Sequence, residues 1–407
     1  MYLTERHIIK KSNPEWKKID HLCFFSKNLY NAALYRIKKE LETNGKIFRY
    51  NKLDKEFKNT NQIDYRNLPI PTSQQILIIL DRNFKSFFNS LRSFKKDKTK
   101  FKGCPKPPKY KDKIKGRNLL IFTYQQMRVQ KDGNINFPKK TCLKPLKSKV
   151  INLQEVRIIP QTNCYVIEVI YQKDPVKNEN LNNNNYLAID LGVNNLVSAT
   201  TNQPGLRPLL ISGKVIKSIN QYYNKRKSKL QSQLEKNHKR KTSKRTQRLT
   251  FKRNNKVTDY FHNISRYLIN YCIENRIGNI VIGYNKNWKN NVNLGKINNQ
   301  TFTQIPFFKL IQQLKYKAEL VGINVIIQEE SYTSKCSSID LESIRKHNNY
   351  VGKRIKRGLF KTSENIELNS DVNGSLNILR KVIGDDFINL LNIGCVLQPL
   401  KINLYKF

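Results

Sequence analysis

The stretch YLAIDLGVNNLVSATT (residues 186–201) decides the class of fold. A short apolar strand leads to Asp190, the chain turns through residues 191–195, and a second apolar strand follows. This pattern predicts two strands of a mixed α/β domain joined by a tight turn, with Asp190 near the middle of the first strand. Gly192 has no side chain, so a substrate backbone could approach the acid closely. An ordinary strand end gives the same pattern, and this motif alone does not separate the two interpretations.

A second acid lies in NSDVNGSLNILRKV, near the other end of the chain. The apolar spacing predicts a helix with Asp371 in its first turn, where the acid could simply be a partner of the helix dipole. The core-facing residues of this helix would be Leu376, Ile378 and Leu379. Small and polar residues on neighbouring turns leave a polar surface around the carboxylate: Asn373, Gly374 and Asn377. Together with Asp190, this arrangement predicts an RNase H-like domain with metal-binding acids on its sheet.

The net charge of the chain points to nucleic acid. The 407 residues are 38% hydrophobic, enough for two or three domains, and carry 76 Lys and Arg against 30 Asp and Glu, a formal charge of +46. Roughly 2 to 8 net charges keep a small domain soluble, so the excess indicates a polyanionic partner. No run approaches the roughly 20 apolar residues of a membrane helix, and the N-terminus MYLTERHIIK has no signal-peptide core. We expect a cytosolic protein, nucleoid-associated when bound to DNA, with no membrane partner.

The cysteines do not predict a disulfide framework or a zinc ribbon. They are odd in number, widely scattered and never spaced as C-x-x-C pairs. A long, lysine-rich chain without a secretion signal is expected to keep its thiols reduced. The seven positions are Cys23, Cys104, Cys142, Cys164, Cys272, Cys336 and Cys395.

The first 175 residues divide into helical and β-rich parts. Helical spacing from residue 14 to about residue 94 predicts a helical domain, whose aromatic residues fit an interhelical core better than a base-stacking surface. These residues are Phe24, Phe25, Tyr30, Phe84, Phe87 and Phe88. The alternating segments that follow, such as NCYVIEVIYQ, predict a small antiparallel barrel, and KNENLNNNN marks a domain boundary.

Two basic stretches are candidates for contact with nucleic acid. KKDKTKFKGCPKPPKYKDKIKGRN is too rich in Pro and Gly for a helix and is either a phosphate-contacting loop or a solvated linker. YYNKRKSKLQSQLEKNHKRKTSKRTQRLTFKRNNK predicts a helical hairpin with one basic face. Such a run is usually only a solvated face, but its nearly uniform sign favours contact with nucleic acid. The candidate contacts, which include Lys289 and two residues of a later basic segment, are Lys106, Lys109, Lys111, Arg226, Lys239, Arg240, Lys241, Arg245, Arg253, Lys289, Arg354 and Arg357.

Eight motifs together resemble the transposon-encoded OrfB/TnpB family of RNA-guided DNA endonucleases, which is similar to the ancestors of type V CRISPR effectors. In chain order they are SKNLYNAALY, KFKGCPKPPKYK, GRNLLIF, EVRIIP, IDLGVNNLVS, LKYKAELVGI, SYTSKCS and DVNGSLNIL. Each is weak alone, but their order is specific and spans nearly the whole chain. The resemblance implies an α+β multidomain fold with a helical recognition lobe, a small β-barrel wedge and an α/β RNase H-like (RuvC) nuclease domain.

The implied domains have the following boundaries. The wedge barrel with its basic loop takes residues 1–13 and 95–175 around a helical recognition domain at 14–94. An Asn-rich linker at 176–186 leads to the nuclease domain at 187–407. That domain holds a basic helical insertion at 220–256 and a degenerate ribbon or lid at 336–370.

The resemblance also assigns the site. Asp190 is similar to the first RuvC aspartate and Asp371 to the third acid, but the second acid of the family falls at Gly283, which cannot ligate a metal. The strand INVIIQEE offers a replacement in Glu329 and Glu330. Strand alternation sends the two to opposite faces, and the family spacing to the following Thr-Ser pair favours Glu330.

Two exposed acids at a strand end would explain INVIIQEE equally simply. Hydrolysis with two metal ions, however, needs more oxygen ligands than two aspartates supply, which favours a relocated glutamate. The ribbon segment retains only Cys336 and His347 as candidate ligands, so we expect a zinc-free basic loop there and no structural zinc.

We therefore predict an Mg²⁺-dependent (or Mn²⁺-dependent) RNA-guided DNA endonuclease. Its metal ligands would be Asp190, Glu330 and Asp371, with Glu329 in reserve. Its partners would be a guide RNA from the transposon end and double-stranded DNA next to a short flanking motif. The alternative is a nuclease-inactive, TnpB-like repressor that binds DNA through the same guide. Gly283 favours this alternative, and the two intact aspartates oppose it.

Overall fold

The computed structural model describes residues 1–176, 178–238, 242–285 and 295–404. The chain forms two compact units, Met1–Lys173 and Asp174–Phe407. None of the described helices is both long enough and apolar enough to cross a membrane. All seven cysteines are free thiols.

The helices of the first unit pack their apolar faces into one core. The aromatic residues expected in this core follow the prediction: Tyr30 and Phe84 are buried, and Phe25, Phe87 and Phe88 pack against them. Phe24 instead lies under two cations, the Lys27 ammonium at 4.0 Å and the Arg117 guanidinium at 5.0 Å from its ring centre. The helices are α1 (Trp16–Asn44), α2 (Tyr50–Asn59), α3 (Ile63–Asn67) and α4 (Ile70–Lys96).

The strands of the first unit form two antiparallel sheets. The larger sheet has the order β1-β7-β6-β2, and the smaller has the order β3-β4-β5. Their closure into a single barrel stays a prediction. The strands are β1 (Tyr2–Lys10), β2 (Leu120–Thr123), β3 (Arg128–Val129), β4 (Asn134–Asn136), β5 (Leu146–Lys147), β6 (Leu153–Pro160) and β7 (Cys164–Gln172).

The basic loop before β2 is fastened to α1. The Asn31 side chain donates to the carbonyl of Lys111 and accepts from its N–H, both at 2.9 Å. The buried Lys27 ammonium donates to the carbonyl of Lys113 at 2.6 Å, and Arg117 makes two hydrogen bonds to Asp20 at 2.9 and 2.8 Å. Because backbone groups of the loop are bonded to a helix, this part of the loop is not a solvated linker.

A mixed six-stranded sheet organises the second unit. Its order is β12-β11-β8-β9-β10-β16, with β8 parallel to β11 and antiparallel to β9. The strands are β8 (Asn182–Asp190), β9 (Asn195–Thr201), β10 (Leu209–Ser212), β11 (Ile277–Gly283), β12 (Asn324–Gln328) and β16 (Leu400–Ile402). The predicted pair of strands around residues 191–195 is therefore central to the sheet.

The second unit also contains helices and a small three-stranded antiparallel sheet. The helices are α5 (Lys214–His238), α6 (Lys244–Glu274), α7 (Lys296–Gln304), α8 (Phe307–Glu319), α9 (Ser370–Ile383), α10 (Asp386–Leu390) and α11 (Ile393–Leu397). The small sheet consists of β13 (Lys353–Lys356), β14 (Leu359–Lys361) and β15 (Glu367–Asn369).

Strand alternation puts different helices on the two faces of the large sheet. Leu187 and Ile189 of β8 share a core with α6 and α8, whereas Ala188 shares a core with α9. Val281 of β11 and Ile326 of β12 lie on the α9 side as well. Because side chains alternate with a period of two, Asp190 and Gly283 belong to the α9 face.

The structure differs from the sequence predictions in four places. Asp190 is the last residue of its strand, since β8 runs from Asn182 to Asp190, and does not lie near the middle. The same strand includes residues 182–186 of the expected linker at 176–186. The two helices that carry the basic run reach beyond the expected bounds of 220–256, since α5 begins at Lys214 and α6 continues to Glu274. The segment 336–370 is not simply a loop, because it contains β13, β14 and β15.

Candidate active site

Asp190 is the last residue of β8, and its side chain lies against helix α9. The residue is half-buried as a whole, but its carboxyl group is enclosed by protein atoms. A side chain added at Gly374 of α9 would begin only 2.7 Å from Asp190 Oδ2. Glycine at 374 is thus what lets the helix approach the carboxylate.

Asp371 lies in the first turn of α9, as predicted. The side chain of Asn369 caps this helix by accepting from the N–H groups of Asp371 and Val372 at 2.9 and 3.3 Å. Asn195, the first residue of β9, donates its amide N–H to Asp371 Oδ2 at 2.8 Å. Arg354 of β13 lies 3.8 Å from Asp371 Oδ1. Two elements besides α9 therefore orient this carboxylate.

Gly283 and Glu330 share one space. A Cβ built on Gly283 would lie 2.8 Å from Glu330 Oε2 and 2.4 Å from the terminal methyl carbon of Ile378. The backbone N–H of Glu330 donates to the side chain of Asn285 at 3.1 Å, just after the end of β11. The carboxylate of Glu330 thus lies where a side chain on Gly283 would begin.

Glu329 points away from this space. Its side chain is 56% exposed and pairs with Lys381 at 3.0 Å. Lys381 also donates to the carbonyls of Glu329 and Ser331, which fixes the turn after β12. The hydrogen bond from Ser331, together with Lys381, lowers the pKa of Glu329. The predicted division of the two glutamates between opposite faces agrees with these contacts.

Asp190 and Glu330 lie in surroundings that disfavour the negative charge of their carboxylates. Burial raises the pKa of Asp190 well above its ordinary value, and the charges of Glu330 and Asp371 raise it further. Arg354 acts in the opposite direction. Burial also raises the pKa of Glu330 to about 7, with a contribution from Glu329. Negative charge at these positions is thus incompletely compensated by the protein.

This donor set fits a hard divalent cation. Carboxylate oxygens are the preferred ligands of Mg²⁺, and a cation near buried acids removes their mutual repulsion. Among the described residues, no three Asp, Glu, His or Cys side chains are already arranged to hold a metal ion together. The side chains of Asp190, Glu330 and Asp371 would therefore have to adjust to share one.

Three residues expected beside the substrate are structural instead. Asn373 is buried and bonds the backbone and hydroxyl of Ser338 and the carbonyl of Cys336. Asn377 is buried and donates to the carbonyls of Thr333 and Cys336. A Cβ on Gly192 would lie 2.6 Å from the carbonyl oxygen of Asn195, so the turn itself requires the glycine.

A hydrogen-bonded network that the sequence analysis did not predict holds the ribbon segment. The buried Glu342 accepts from the N–H groups of Ser337 and Val351 at 2.7 and 3.0 Å. Arg380 of α9 donates to the carbonyl of Glu342 at 3.0 Å and pairs with Asp385. Cys336 and His347 both contact the carbonyl of Ser343. The only sequence signal was an arginine among the core positions of α9.

The predicted nucleic-acid contacts differ in their surroundings. Lys106, Lys109, Arg226 and Arg245 are exposed. The Lys111 ammonium lies 5.1 Å from the centre of the Tyr30 ring. The Arg253 guanidinium points inward and donates hydrogen bonds to the side chain of Asn220 at 2.8 Å and to the carbonyl of Gln304 at 2.6 Å. Arg354 and Arg357 belong to the small sheet and its turn. Four candidates lie outside the described residues: Lys239, Arg240, Lys241 and Lys289.

Two family models match the chain in succession. The family OrfB_IS605, described as "Probable transposase", matches residues 164–289, and the family described as "Cas12f1-like, TNB domain" matches residues 307–378. Asp190 and Gly283 lie within the first match, and Glu330 and Asp371 lie within the second.

A curated protein and several solved structures are also similar. The TnpB-like protein ORF457 of Acidianus two-tailed virus is 23% identical over 409 residues, covering 90% of this chain and 84% of the relative. The Cas12f1–sgRNA–target DNA complex gives a TM-score of 0.38 at 15% identity, covering 92% of this chain and 98% of that chain. The mini-RNA-guided endonuclease Cas_phi3 gives 0.47 at 10% identity, covering 93% and 92%.

Proposed function

We propose that the chain is a member of the OrfB/TnpB family and that it is an RNA-guided DNA endonuclease with a relocated second acid. The strand order of the large sheet, with β8 between an antiparallel and a parallel neighbour, agrees with an RNase H-like (RuvC) nuclease domain. Guide RNA and double-stranded DNA next to a short flanking motif are the proposed partners, in the cytosol or nucleoid. The formal charge of +46 supports two such polyanionic partners.

One observation carries the proposal. The Glu330 carboxylate lies 2.8 Å from the point where a Gly283 side chain would begin, on the same face of the sheet as Asp190. If the glycine at residue 283 had resulted from a loss of nuclease activity, no carboxylate would be needed in the space beside it. The raised pKa of Glu330, caused first by burial, describes a group whose charge is unfavourable without a cation.

In this proposal Asp190, Glu330 and Asp371 hold Mg²⁺ or Mn²⁺. When bound, the cation would activate water and stabilise the charge that develops on the phosphate. Asn195 holds the carboxylate of Asp371 through the hydrogen bond at 2.8 Å. Arg354, beside Asp371 and half-exposed, supplies a positive charge for the substrate phosphate.

The deciding experiment compares three variants in the ribonucleoprotein formed with the downstream transposon-end RNA. The substrate is a plasmid with a randomised flank beside the guide-matched sequence, incubated with Mg²⁺. We expect cleavage by the wild type and by Glu329→Gln, and its loss in Glu330→Gln and Asp190→Ala. Glu329→Gln is the matched control, because the two residues are adjacent and carry the same charge.

Two results would contradict the proposal. Guide-dependent binding with no cleavage by the wild type would make the protein an RNA-guided repressor. Full cleavage by Glu330→Gln would remove Glu330 from the site. Mn²⁺ binding, measured by paramagnetic resonance on the same variants, separates lost metal affinity from lost chemistry.

A further inference from the structure

A groove between α5 and α6 has the properties of a nucleotide-binding site. Its volume is about 960 Å³, within the range of pockets that enclose small ligands. Seven Lys and Arg side chains line it, and no Asp or Glu occurs among the described residues that line it. Apolar and aromatic side chains form its interior surface: Val215, Ile219, Tyr222, Tyr223, Leu230 and Leu249.

The floor of the groove is fixed by contacts between the two helices. The Tyr223 hydroxyl lies 3.0 Å from the Thr250 hydroxyl, and Tyr223 is buried. Arg253 spans the same junction by donating to Asn220 of α5 at 2.8 Å. The groove is therefore held open by bonded side chains, and its apolar surface is not closed by packing of the helices.

Tyr222 stands out among these side chains. It lines the groove and yet remains 63% exposed. Exposed cations accompany it on both helices, among them Arg226, Arg245 and Lys252. An exposed aromatic ring beside several cations is the combination that binds single-stranded nucleic acid, because bases stack on the ring and phosphates pair with the cations.

We propose that the α5–α6 groove binds an unpaired nucleotide of the guide RNA, with its base on Tyr222 and its flanking phosphates at Arg226, Arg245 and Lys252. The identity of the strand as guide RNA rests on the proposed function. A pocket of this volume admits one or a few nucleotides but not a duplex. The described residues that line the groove include no Asp or Glu, so a strand bound here meets no metal-binding carboxylate. This agrees with guide RNA, which the complex retains and does not cleave.

Charge argues against other occupants. A second copy of the chain would bring a formal charge of +46 to a groove lined by cations. An RNA strand has the opposite charge and supplies apolar base faces for the interior of the groove.

The first test measures guide-RNA affinity by filter binding. Stacking on one aromatic side chain contributes about 1 to 3 kcal/mol, so Tyr222→Ala should weaken binding about tenfold. Tyr222→Phe keeps the ring and should bind as the wild type does. Phe308→Ala is the matched control, because Phe308 is an aromatic residue of the same unit, is 59% exposed and lies outside the groove. Equal affinity of Tyr222→Ala and the wild type would overturn the proposal.

The second test locates the contact directly. RNA carrying 4-thiouridine is crosslinked in the assembled complex with guide and target DNA, and the modified peptide is identified by mass spectrometry. Crosslinks from unpaired guide positions to the peptide containing Tyr222 support the proposal. Crosslinks to that peptide from thiolated DNA alone, or from no strand, overturn it. Loss of cleavage in the wild type with the RNA crosslink intact would count against the nuclease and not against the groove.

Discussion

The protein stabilises the charge of a partly buried carboxylate in its first unit and leaves the charges of buried carboxylates in its second unit largely uncompensated. In the first unit Asp20 receives two hydrogen bonds from Arg117, at 2.9 and 2.8 Å, and one from the hydroxyl of Tyr165. Although burial alone would raise it, these bonds lower the pKa of Asp20. In the second unit burial and two neighbouring acids raise the pKa of Asp190.

The difference separates a structural carboxylate from a candidate metal ligand. Asp20 carries its counter-charge within the fold, so it can link α1 to the basic loop without any partner. The charges of Asp190, Glu330 and Asp371 are offset only in part, by Arg354 beside Asp190 and Asp371 and by Lys381 near Glu330, and their repulsion is relieved best by a cation from solution. Substitution should therefore affect stability in the first group and activity in the second.

The largest effect is expected at Asp190. Asp190→Asn removes a metal ligand, and several kcal/mol of transition-state stabilisation correspond to a loss in cleavage rate of about 10³-fold. Its free energy of unfolding without divalent metal should equal or exceed that of the wild type, because one repelling charge is gone. Plasmid cleavage and urea unfolding measure the two quantities. A strongly destabilised Asp190→Asn protein would place Asp190 with the structural acids.

Gly374 gives the next largest effect. In Gly374→Ala the new methyl group would lie 2.7 Å from Asp190 Oδ2, so the carboxylate must move. Displacement of a catalytic group by about 1 Å reduces rates about 10²-fold, and we expect this loss in single-turnover cleavage. Gly103→Ala is the control, since open space surrounds that glycine. Unimpaired cleavage by Gly374→Ala would show that the helix and the acid do not need this close contact.

Asp20 should show the reverse behaviour. Asp20→Asn leaves Arg117 without its ion pair, and we expect the free energy of unfolding to fall by about 2 kcal/mol. Trp16, whose ring centre lies 5.8 Å from that of Tyr165, reports on this region by fluorescence when Trp288 is replaced by Phe. Cleavage below the unfolding transition should remain at the wild-type rate. A stable but inactive Asp20→Asn protein would break the comparison.

A buried cation gives the smallest expected effect and extends the comparison to positive charge. Lys317 donates to the carbonyl of His262 at 2.9 Å and the hydroxyl of Ser265 at 2.7 Å, and burial, together with Arg266, lowers its pKa to about 8. The unfolded chain therefore binds more protons between pH 8 and about 10, so stability rises with pH there. From pH 7.5 to 9 the wild type should gain about 1 kcal/mol relative to Lys317→Met in urea unfolding. Parallel curves for the two proteins would contradict this account.

Periodicity predicted the elements that carry the site, but not all of their contacts. The strand–turn–strand around Asp190 and the helix that begins near Asp371 follow directly from apolar spacing. The missing acid at Gly283 led to Glu330, and alternation separated it from Glu329. Residue type alone could not show that Asn373 and Asn377 bond carbonyls of the segment 333–338, because their partners lie far away in sequence.

The short strands β13, β14 and β15 escaped the sequence analysis for a related reason. They are three or four residues long, and β13 is fully exposed, so no apolar alternation marks it. The network around Glu342 and Arg380 was missed because a buried ion or hydrogen-bond partner has no periodic signature. Sequence patterns record which face is apolar, whereas the polar contacts that position a site depend on tertiary structure.

The space shared by Gly283 and Glu330 also constrains how this protein can change. Returning a glutamate to residue 283 first requires that Glu330 leave and that the side chain of Ile378 shrink or shift, since both occupy the path of the new Cβ. A protein with glutamate at residue 283 and an unchanged Glu330 has a steric clash, and a protein that has lost Glu330 first lacks one of the three acids. The two positions are therefore sterically coupled, and a glutamate side chain at residue 283 requires changes at more than one position.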